Sequence, residues 1–458
     1  VARLFGTDGV RGVINENLNA EMALKLGMAI CTTFGEGSRF LVGRDVRLGG
    51  DILIKAVVSG LESGGCTPYL CGYAPTPAVQ YAIRSTQLFD GGIVVTASHN
   101  PPMYNGIKVI DSDGIEVPRE KEREIEKVFF EERFSRVPWF KGDLSERMFA
   151  EVLDIYVKGI IEQVDKNKIR EKHLTVVFDG ANSVGSLVIP RVIRLLGGKP
   201  ISLNAHLDPY FPGREPEPTP ETLALAAQLV KASSADFGVG VDGDADRAIF
   251  IDDRGNVYWG DRTAVVLAPF LKERNPELPP VVYTGVSSSS FIEDLLREHG
   301  IKVVWLKVGS VDISRELVDK GGLLGFEENG GIMYPPHQPV RDAAMGTALM
   351  MQLIAEKSVK LSEEYSRFPR TYVIKTKYPL TRDLAVNVVE RVKQEFSSFR
   401  TIPIDGVKVI FDDGWLLVRP SGTEPVLRVM IEMLNEKRAK EIKAKIESTI
   451  HSIRGVVG

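Results

Sequence analysis

The chain has 458 residues, 43% of them hydrophobic and 26% charged, with a formal net charge of −4 at pH 7. At about 100 to 200 residues per domain, that length calls for three or four hydrophobic cores rather than one. The near-neutral balance excludes both a disordered chain and a polyanion-binding surface, so nucleic acid is not an expected partner.

The chain opens with "VARLFGTDGVRG", whose charges at Arg3, Asp8 and Arg11 are out of place in a signal peptide. No run of about 18 or more apolar residues follows, so no membrane partner is expected and a cytoplasmic location is. Cys31, Cys66 and Cys71 lack CxxC or zinc-ribbon spacing and read as buried thiols of a reducing compartment. From Phe40 onward one pattern recurs: a short apolar strand, a Gly-rich or polar turn, then an apolar-periodic helix. Its copies are "FLVGRDVRLGGDILIKAVVSGLESGG", "TVVFDGANSVGSLVIPRVIRLLGG" and "PVVYTGVSSSSFIEDLLREHG". Each is followed by a second strand ("TPYLCGY", "KPISLNA", "KVVWLKV") and by a third that ends in unusual chemistry: "GIVVTASHNP", "DFGVGVDGDADR" and "GLLGFEENGG". After Thr371 the pattern changes to alternating strands, "RTYVIKTKYPL" and "GVKVIFDDGWLLVRPSGTEPVLRVMIEM", with two polar-faced helices. The expected architecture is α/β: three related α/β domains, 1–150, 151–255 and 256–370, around a central cleft, plus a smaller C-terminal α+β domain, 371–458. In open α/β sheets ligands collect beyond the carboxyl ends of the strands, so three odd strand ends facing one another would share one cleft.

The first end closes a strand on Thr96, Ser98, His99 and Asn100, polar groups that need partners; Ser98 there could be a turn residue, a nucleophile or a ligand. In the second, Asp242, Asp244 and Asp246 alternate, and extended backbone would project all three to one face. Such carboxylates repel unless a cation neutralises them, and with no His or Cys nearby the donor set points to Mg²⁺ or a similar divalent ion. The EF-hand pattern does not fit, since Arg247 and apolar residues follow. A solvated acidic turn is the alternative, and the apolar "DFGVGV" before it argues for burial. The third end offers Glu327, Glu328 and Asn329, acceptors suited to sugar hydroxyls or to an amino group. Lys307 in "LKVGS" reads as a surface residue by default, though the Gly after it permits close approach of a ligand. In the C-terminal unit, "RPSGTEPVLR" sets Arg419, Ser421, Gly422, Thr423 and Arg428 around a turn whose N–H groups, hydroxyls and guanidiniums suit a phosphate; a capped turn is the alternative. A cation, a sugar loop and a phosphate loop together favour Ser98 as the nucleophile.

In that order, "TASHNP", "DGDADR", "GFEENGG" and "RPSGTEP", with "FGTDGVRG" at the start, resemble the α-D-phosphohexomutases over essentially the whole chain. The resemblance implies interconversion of hexose 6-phosphates and hexose 1-phosphates through a sugar bisphosphate that is also an activator, with gluco-, manno- or glucosamine phosphates as substrates. It implies that Ser98 is carried as phosphoserine and that one Mg²⁺ is held by its phosphate together with Asp242, Asp244 and Asp246. Arg11, His99 and Lys108 match the catalytic groups beside the serine, and Lys108 as acid or base would need a pKa lowered by neighbouring cations. Arg247, Lys307, Glu327 and Asn329 fall to the substrate. Arg419, Ser421, Gly422, Thr423 and Arg428 match the site of the non-reacting phosphate, on a domain that closes as a lid. The resemblance also allows for a homodimer. Many relatives end the sugar loop in Ser-Gly-His, where this chain has Asn329, Gly330 and Gly331; His337 is the nearest replacement. A sugar-phosphate phosphatase or a non-catalytic sugar-phosphate-binding protein are the rival readings. A lid that excludes water argues against the first, and the intact Ser98, Asp and Lys108 set against the second.

Overall fold

The computed structural model describes residues 3–6, 8–141, 147–421 and 425–456. It holds four sheets. In the first, the strand Arg39–Arg44 pairs in parallel with Thr67–Tyr73 on one side and Gly91–Val95 on the other, and Tyr104–Asp111 returns antiparallel to Gly91–Val95. The second repeats this with Thr175–Asp179 between Lys199–Leu203 and Phe237–Val241, and Ala248–Ile251 as the returning strand. The third repeats it again with Val281–Gly285 between Lys302–Leu306 and Leu324–Phe326, and Ile332–Tyr334 returning. In all three units the chemically unusual loop is the one between the third strand and the returning strand, so three copies of one topology present three different loops at equivalent places.

What turns these loops toward each other is a shared core. The helix Ala343–Lys357 is buried along nearly its whole length, because apolar residues occupy every face of "AAMGTALMMQLIA" rather than a single stripe. It packs against Val152–Glu162, Lys166–Lys172, Ile189–Leu195 and Gly260–Arg274. Asp342 caps its first turn, accepting from the Met345 N–H at 2.8 Å. The C-terminal unit is a five-stranded antiparallel sheet with its own core under the helices Arg382–Glu395 and Glu436–Val456. It docks on the third unit through Arg262, 2.7 Å from Glu432, and through Lys408. The Lys408 ammonium donates to the Ser288 carbonyl and lies 4.0 and 4.1 Å from the ring centres of Trp305 and Trp415. Among the described residues, no helix is long and apolar enough to cross a membrane.

The cysteines depart from expectation. Cys31, on the helix Ala20–Phe34, and Cys66, just before the strand Thr67–Tyr73, form a disulfide with their Cα atoms 5.8 Å apart. The crossover lays the end of that helix beside the start of the second strand, a proximity that spacing rules for cysteine do not register, and it removes the argument for a reducing compartment. Cys71 stays free, and burial pushes its thiol up to about 12.

Candidate active site

Ser98 follows the fully buried strand Gly91–Val95 and adopts left-handed backbone, φ 50°. Such backbone costs energy for a non-glycine residue and persists only where the surroundings fix it. Here they do. The Ser98 N–H donates to Thr96 Oγ1 at 2.9 Å, and Thr96 in turn donates to Asp45 Oδ2 at 2.6 Å. Arg47, wholly buried, spreads its guanidinium over the carbonyls of Ser98 (2.7 Å), Asn100 (2.6 Å), Pro101 (2.8 Å) and Tyr104 (3.0 Å), with its Nε on Asp45 at 3.1 Å. Gly243 lets the facing loop approach, since a Cβ there would sit 2.4 Å from the Ser98 carbonyl. Ser98 itself is 0% exposed, and its hydroxyl donates to Asp242 Oδ2 at 2.5 Å.

The three aspartates converge, by a different route from the alternation expected. Residues 242–246 form a tight turn with Ala245 at φ 56°, and the turn gathers the carboxylates. One oxygen from each lies within 4.8 Å of the others. Asp242 Oδ1 accepts the N–H groups of Asp246 and Arg247, both at 3.1 Å. Asp244 Oδ2 accepts from Thr76 Oγ1 at 2.5 Å and from Lys108 Nζ at 2.9 Å, and Asp246 Oδ2 accepts from Lys108 at 3.0 Å. The remaining oxygens, Asp244 Oδ1 and Asp246 Oδ1, are buried and accept no hydrogen bond, the second having Arg247 Nε at 3.8 Å. Orphaned buried carboxylate oxygens are costly unless a ligand takes them, so this cluster fits a hard divalent cation. Burial and the charges of Asp246 and Asp244 push the Asp242 carboxyl well up; burial opposes ionisation of Asp244 too, but the Lys108 charge and the hydrogen bonds from Thr76 and Lys108 together outweigh it and hold that carboxyl low.

Lys108 reverses the expectation attached to it. Burial disfavours its charge, but its neighbours are the carboxylates of Asp244, Asp246 and Asp8, and together they raise its pKa rather than lower it. It is a fixed cation. His99 is the neutral group: burial, then Arg247 and Arg11, hold its imidazole well below the usual range, and its Nδ1 lies 3.4 Å from Ser98 Oγ.

Above this floor opens a cleft of 660 Å³ lined by all of the units. Arg11 lines it, donating to Asn100 Oδ1 at 2.7 Å and paired with Asp8. So do Arg247, Glu327 and Asn329, the last turning its Oδ1 back to the Gly331 N–H at 3.2 Å. From the C-terminal unit come Arg419, anchored to Asp405 at 3.0 Å, with Ser421 and Arg428; Gly422 and Thr423 lie outside the described residues. Two candidates are elsewhere. Lys307 is exposed and the cleft wall is made by Val308, Gly309 and Ser310 after it. His337 does not enter the cleft: it is buried against Tyr81, ring centres 4.3 Å apart, and faces Asp342 at 3.4 Å. Reading the sequence missed Asp45, Arg47, Thr76 and Arg341. Asp8 lies inside the quoted "FGTDGVRG", but nothing local marks the other four.

Four family models match in succession: phosphoglucomutase/phosphomannomutase alpha/beta/alpha domain I over residues 2–136, domain II over 154–255, domain III over 259–372 and the C-terminal domain over 375–449. A phosphoglucosamine/phosphogalactosamine mutase of Sulfurisphaera tokodaii is 49% identical, the match covering 98% of this chain and 99% of the relative. A phosphoglucomutase/phosphomannomutase of Thermococcus kodakarensis is 41% identical over 96% of this chain and 97% of its own. Among solved structures, a phosphoglucomutase/phosphomannomutase family protein of Burkholderia thailandensis superposes with a TM-score of 0.87 at 25% identity, covering 98% of this chain and 97% of that one.

Proposed function

The chain belongs to the phosphoglucomutase/phosphomannomutase family and is a phosphohexomutase; on that premise we propose that Ser98 carries the phosphoryl group and that amino-hexose phosphates are among several substrates. The observation that carries the reading is the Ser98 hydroxyl, 2.5 Å from Asp242 in a buried aspartate cluster two of whose oxygens accept no hydrogen bond. Asp242, Asp244 and Asp246, with an oxygen on Ser98, would hold Mg²⁺, and the bound ion would neutralise charge on the transferring phosphoryl group.

The chain's own residues do the rest. Arg419, Ser421 and Arg428 grip the phosphate that does not react, while Glu327 and Asn329 take sugar hydroxyls, which leaves the far hydroxyl pointed at Ser98. Phosphoryl transfer then breaks the bond from phosphorus to Ser98 Oγ and forms one to the sugar oxygen. The hydroxyl proton passes to the neutral His99 imidazole and from there to Ser98 Oγ, so atoms and charge balance. Lys108, Arg11 and Arg247 stay charged throughout and compensate the anionic oxygens. The resulting sugar bisphosphate turns over in the cleft and returns its other phosphate to Ser98; released bisphosphate would recharge unphosphorylated protein and so act as an activator.

A substrate that binds in two flipped orientations cannot be read closely on either face, so the enzyme is tolerant. The relatives named for glucosamine, galactosamine, glucose and mannose phosphates support this. The test is a coupled assay panel on glucose, mannose, glucosamine and N-acetylglucosamine phosphates, with intact mass of wild type and Ser98→Ala. Wild type should show a phosphate adduct that the variant lacks, and the variant should be inactive although folded. An active Ser98→Ala protein would overturn the role of the serine; preference for one sugar by more than about a thousandfold, ~4 kcal/mol, would overturn tolerance.

A further inference from the structure

One guanidinium on the cleft floor reaches loops from all three α/β units. Arg341 ends the strand Gln338–Arg341 and is only 5% exposed. Its Nη2 lies 2.7 Å from Asp246 Oδ2 and 2.9 Å from Asp8 Oδ1, and its Nη1 lies 3.4 Å from Glu327 Oε2. Glu116 Oε1 stands behind at 3.8 Å. The room for it comes from Gly331, where a Cβ would meet Arg341 Cδ at 2.7 Å and Cγ at 2.9 Å. The same stretch is tied by backbone to the aspartate loop: Arg247 and Gly331 form an antiparallel bridge, and the Ala248 N–H donates to the Gly330 carbonyl at 2.9 Å. The sugar loop and the aspartate loop are therefore joined through the backbone, with one arginine between them.

The contacts also say what this arginine does. Arg341 and Lys108 both occupy Asp246 Oδ2, which leaves Asp246 Oδ1, with Arg247 Nε at 3.8 Å, and Asp244 Oδ1 as the two oxygens that accept no hydrogen bond. On its other branch Arg341 is the ion-pair partner of Glu327. Building on the assignment of Asp242, Asp244 and Asp246 as the Mg²⁺ site, we infer that Arg341 is a positioning residue that couples the sugar loop to the cation. The charge of Glu327 offsets part of the guanidinium, and whatever changes that pairing changes the field Arg341 puts on Asp246. Occupancy of the sugar loop and grip on the ion are linked through this side chain, in the sense of a coupling free energy between sites.

A double-mutant cycle read on Mg²⁺ alone tests it, by calorimetric titration of the full chain without sugar. Glu327→Gln removes a charge from a residue that is not itself a carboxylate of the cluster. It should weaken Mg²⁺ binding about threefold to tenfold, because the guanidinium then bears fully on Asp246. In an Arg341→Met background the same Glu327→Gln change should alter Mg²⁺ binding by less than about 1.5-fold, and Arg341→Lys should restore at least a twofold effect. Arg341→Gln serves as the uncharged background if Arg341→Met does not melt cooperatively. In turnover, Arg341→Met should lower kcat and raise the KM for sugar phosphate together, whereas a purely structural loss would lower the active fraction and leave KM alone. An equal Glu327→Gln factor in the Arg341 and Met backgrounds would overturn the coupling while leaving the cation site standing. A wild type that takes up no Mg²⁺ would overturn both.

Discussion

Arg47 offers the sharpest test of how the serine is held. Arg47→Met keeps most of the volume and removes every donor, leaving the carbonyls of Ser98, Asn100, Pro101 and Tyr104 without that partner and Asp45 without its cation. Each hydrogen bond from a charged donor contributes about 1.5–3 kcal/mol, but they share one group and do not add; removal of one member of a buried ion pair costs about 3–5 kcal/mol, and that figure decides the estimate. For a unit of this size it corresponds to a fall of roughly 6 to 20 °C in the melting temperature of the first unit. Catalysis should suffer separately. A reacting group displaced by about 1 Å loses on the order of 10²-fold in rate, and Arg47 holds the two carbonyls that flank His99. We expect kcat to fall about 10²-fold with KM for sugar phosphate changed less than about threefold, because Arg419 and Arg428 are on another unit. Arg47→Lys should recover little, since an ammonium has three donors and no planar fork. Differential scanning calorimetry, steady-state kinetics and hydrogen exchange at residues 98–104 read these effects. A variant that melts within about 1 °C of wild type and turns over within about threefold would show that the loop is held by something else.

Three further outcomes follow from the same structure. Chelation should silence the enzyme reversibly, and Asp244→Asn should raise the Mg²⁺ concentration for half activity by at least about tenfold, because it removes a charge from an oxygen set that has two orphaned members; full activity in excess chelator excludes the metal role. Arg419→Ala should raise KM and let sugar bisphosphate escape, detected by phosphorus NMR of the reaction mixture, with unchanged escape counting against the closed-lid arrangement. Lys408 gives stability a pH dependence: burial pulls its ammonium down to about 7, against Glu432, Asp261 and Glu293, which favour the charge. Below about pH 7 folded and unfolded chains both hold the proton; from there to the ordinary lysine pKa, about 10.4, the unfolded chain binds more protons, so stability rises with pH. Melting temperatures between pH 6.5 and 9.5, taken as about the accessible window, should show this rise in wild type and lose it in Lys408→Met; parallel curves would refute the assignment.

How much of this was legible in the sequence depended on whether a signal was local. Ser98, the aspartates and Glu327 were visible because each ends the third strand of a repeated unit, and three coincidences at one topological position carry information that a single polar loop does not. At the aspartate loop the sequence shows the residue types but not their geometry. A turn with left-handed Ala245 gathers the carboxylates, and nothing in "DGDADR" distinguishes an extended from a turned backbone when both put acidic groups together. Lys108 shows the same limit for charge. Its pKa depends on which groups surround it, and where the resemblance implies cations, Asp8, Asp244 and Asp246 stand. The disulfide, too, joins cysteines 35 residues apart through a crossover rather than a motif.

The most instructive case is the apparent defect at the end of the sugar loop. Asn329, Gly330 and Gly331 read as a missing side chain, and the nearest histidine along the chain, His337, is packed against Tyr81. The relevant neighbour is Arg341, which passes through the space that Gly331 leaves and reaches Asp8, 333 residues away in sequence. A glycine is informative only together with whatever fills the volume it vacates, and that filler is chosen by pairing of strands rather than by distance along the chain. Buried ionic residues such as Arg47 and Arg341 look, in sequence, like any solvated arginine on a loop or strand end. Their cost of burial is offset only by carboxylates and carbonyls from remote segments, so the evidence for their role exists only once those segments have met. If that reasoning holds, Gly331→Ala should reproduce a weakened Arg341: the backbone there tolerates a side chain, so the strain falls on the arginine. Gly331→Ala should tighten Mg²⁺ binding in wild type, because a displaced guanidinium bears less on Asp246, and have no added effect once Arg341→Met is in place, whereas equal effects in both backgrounds would show that the glycine serves the backbone alone.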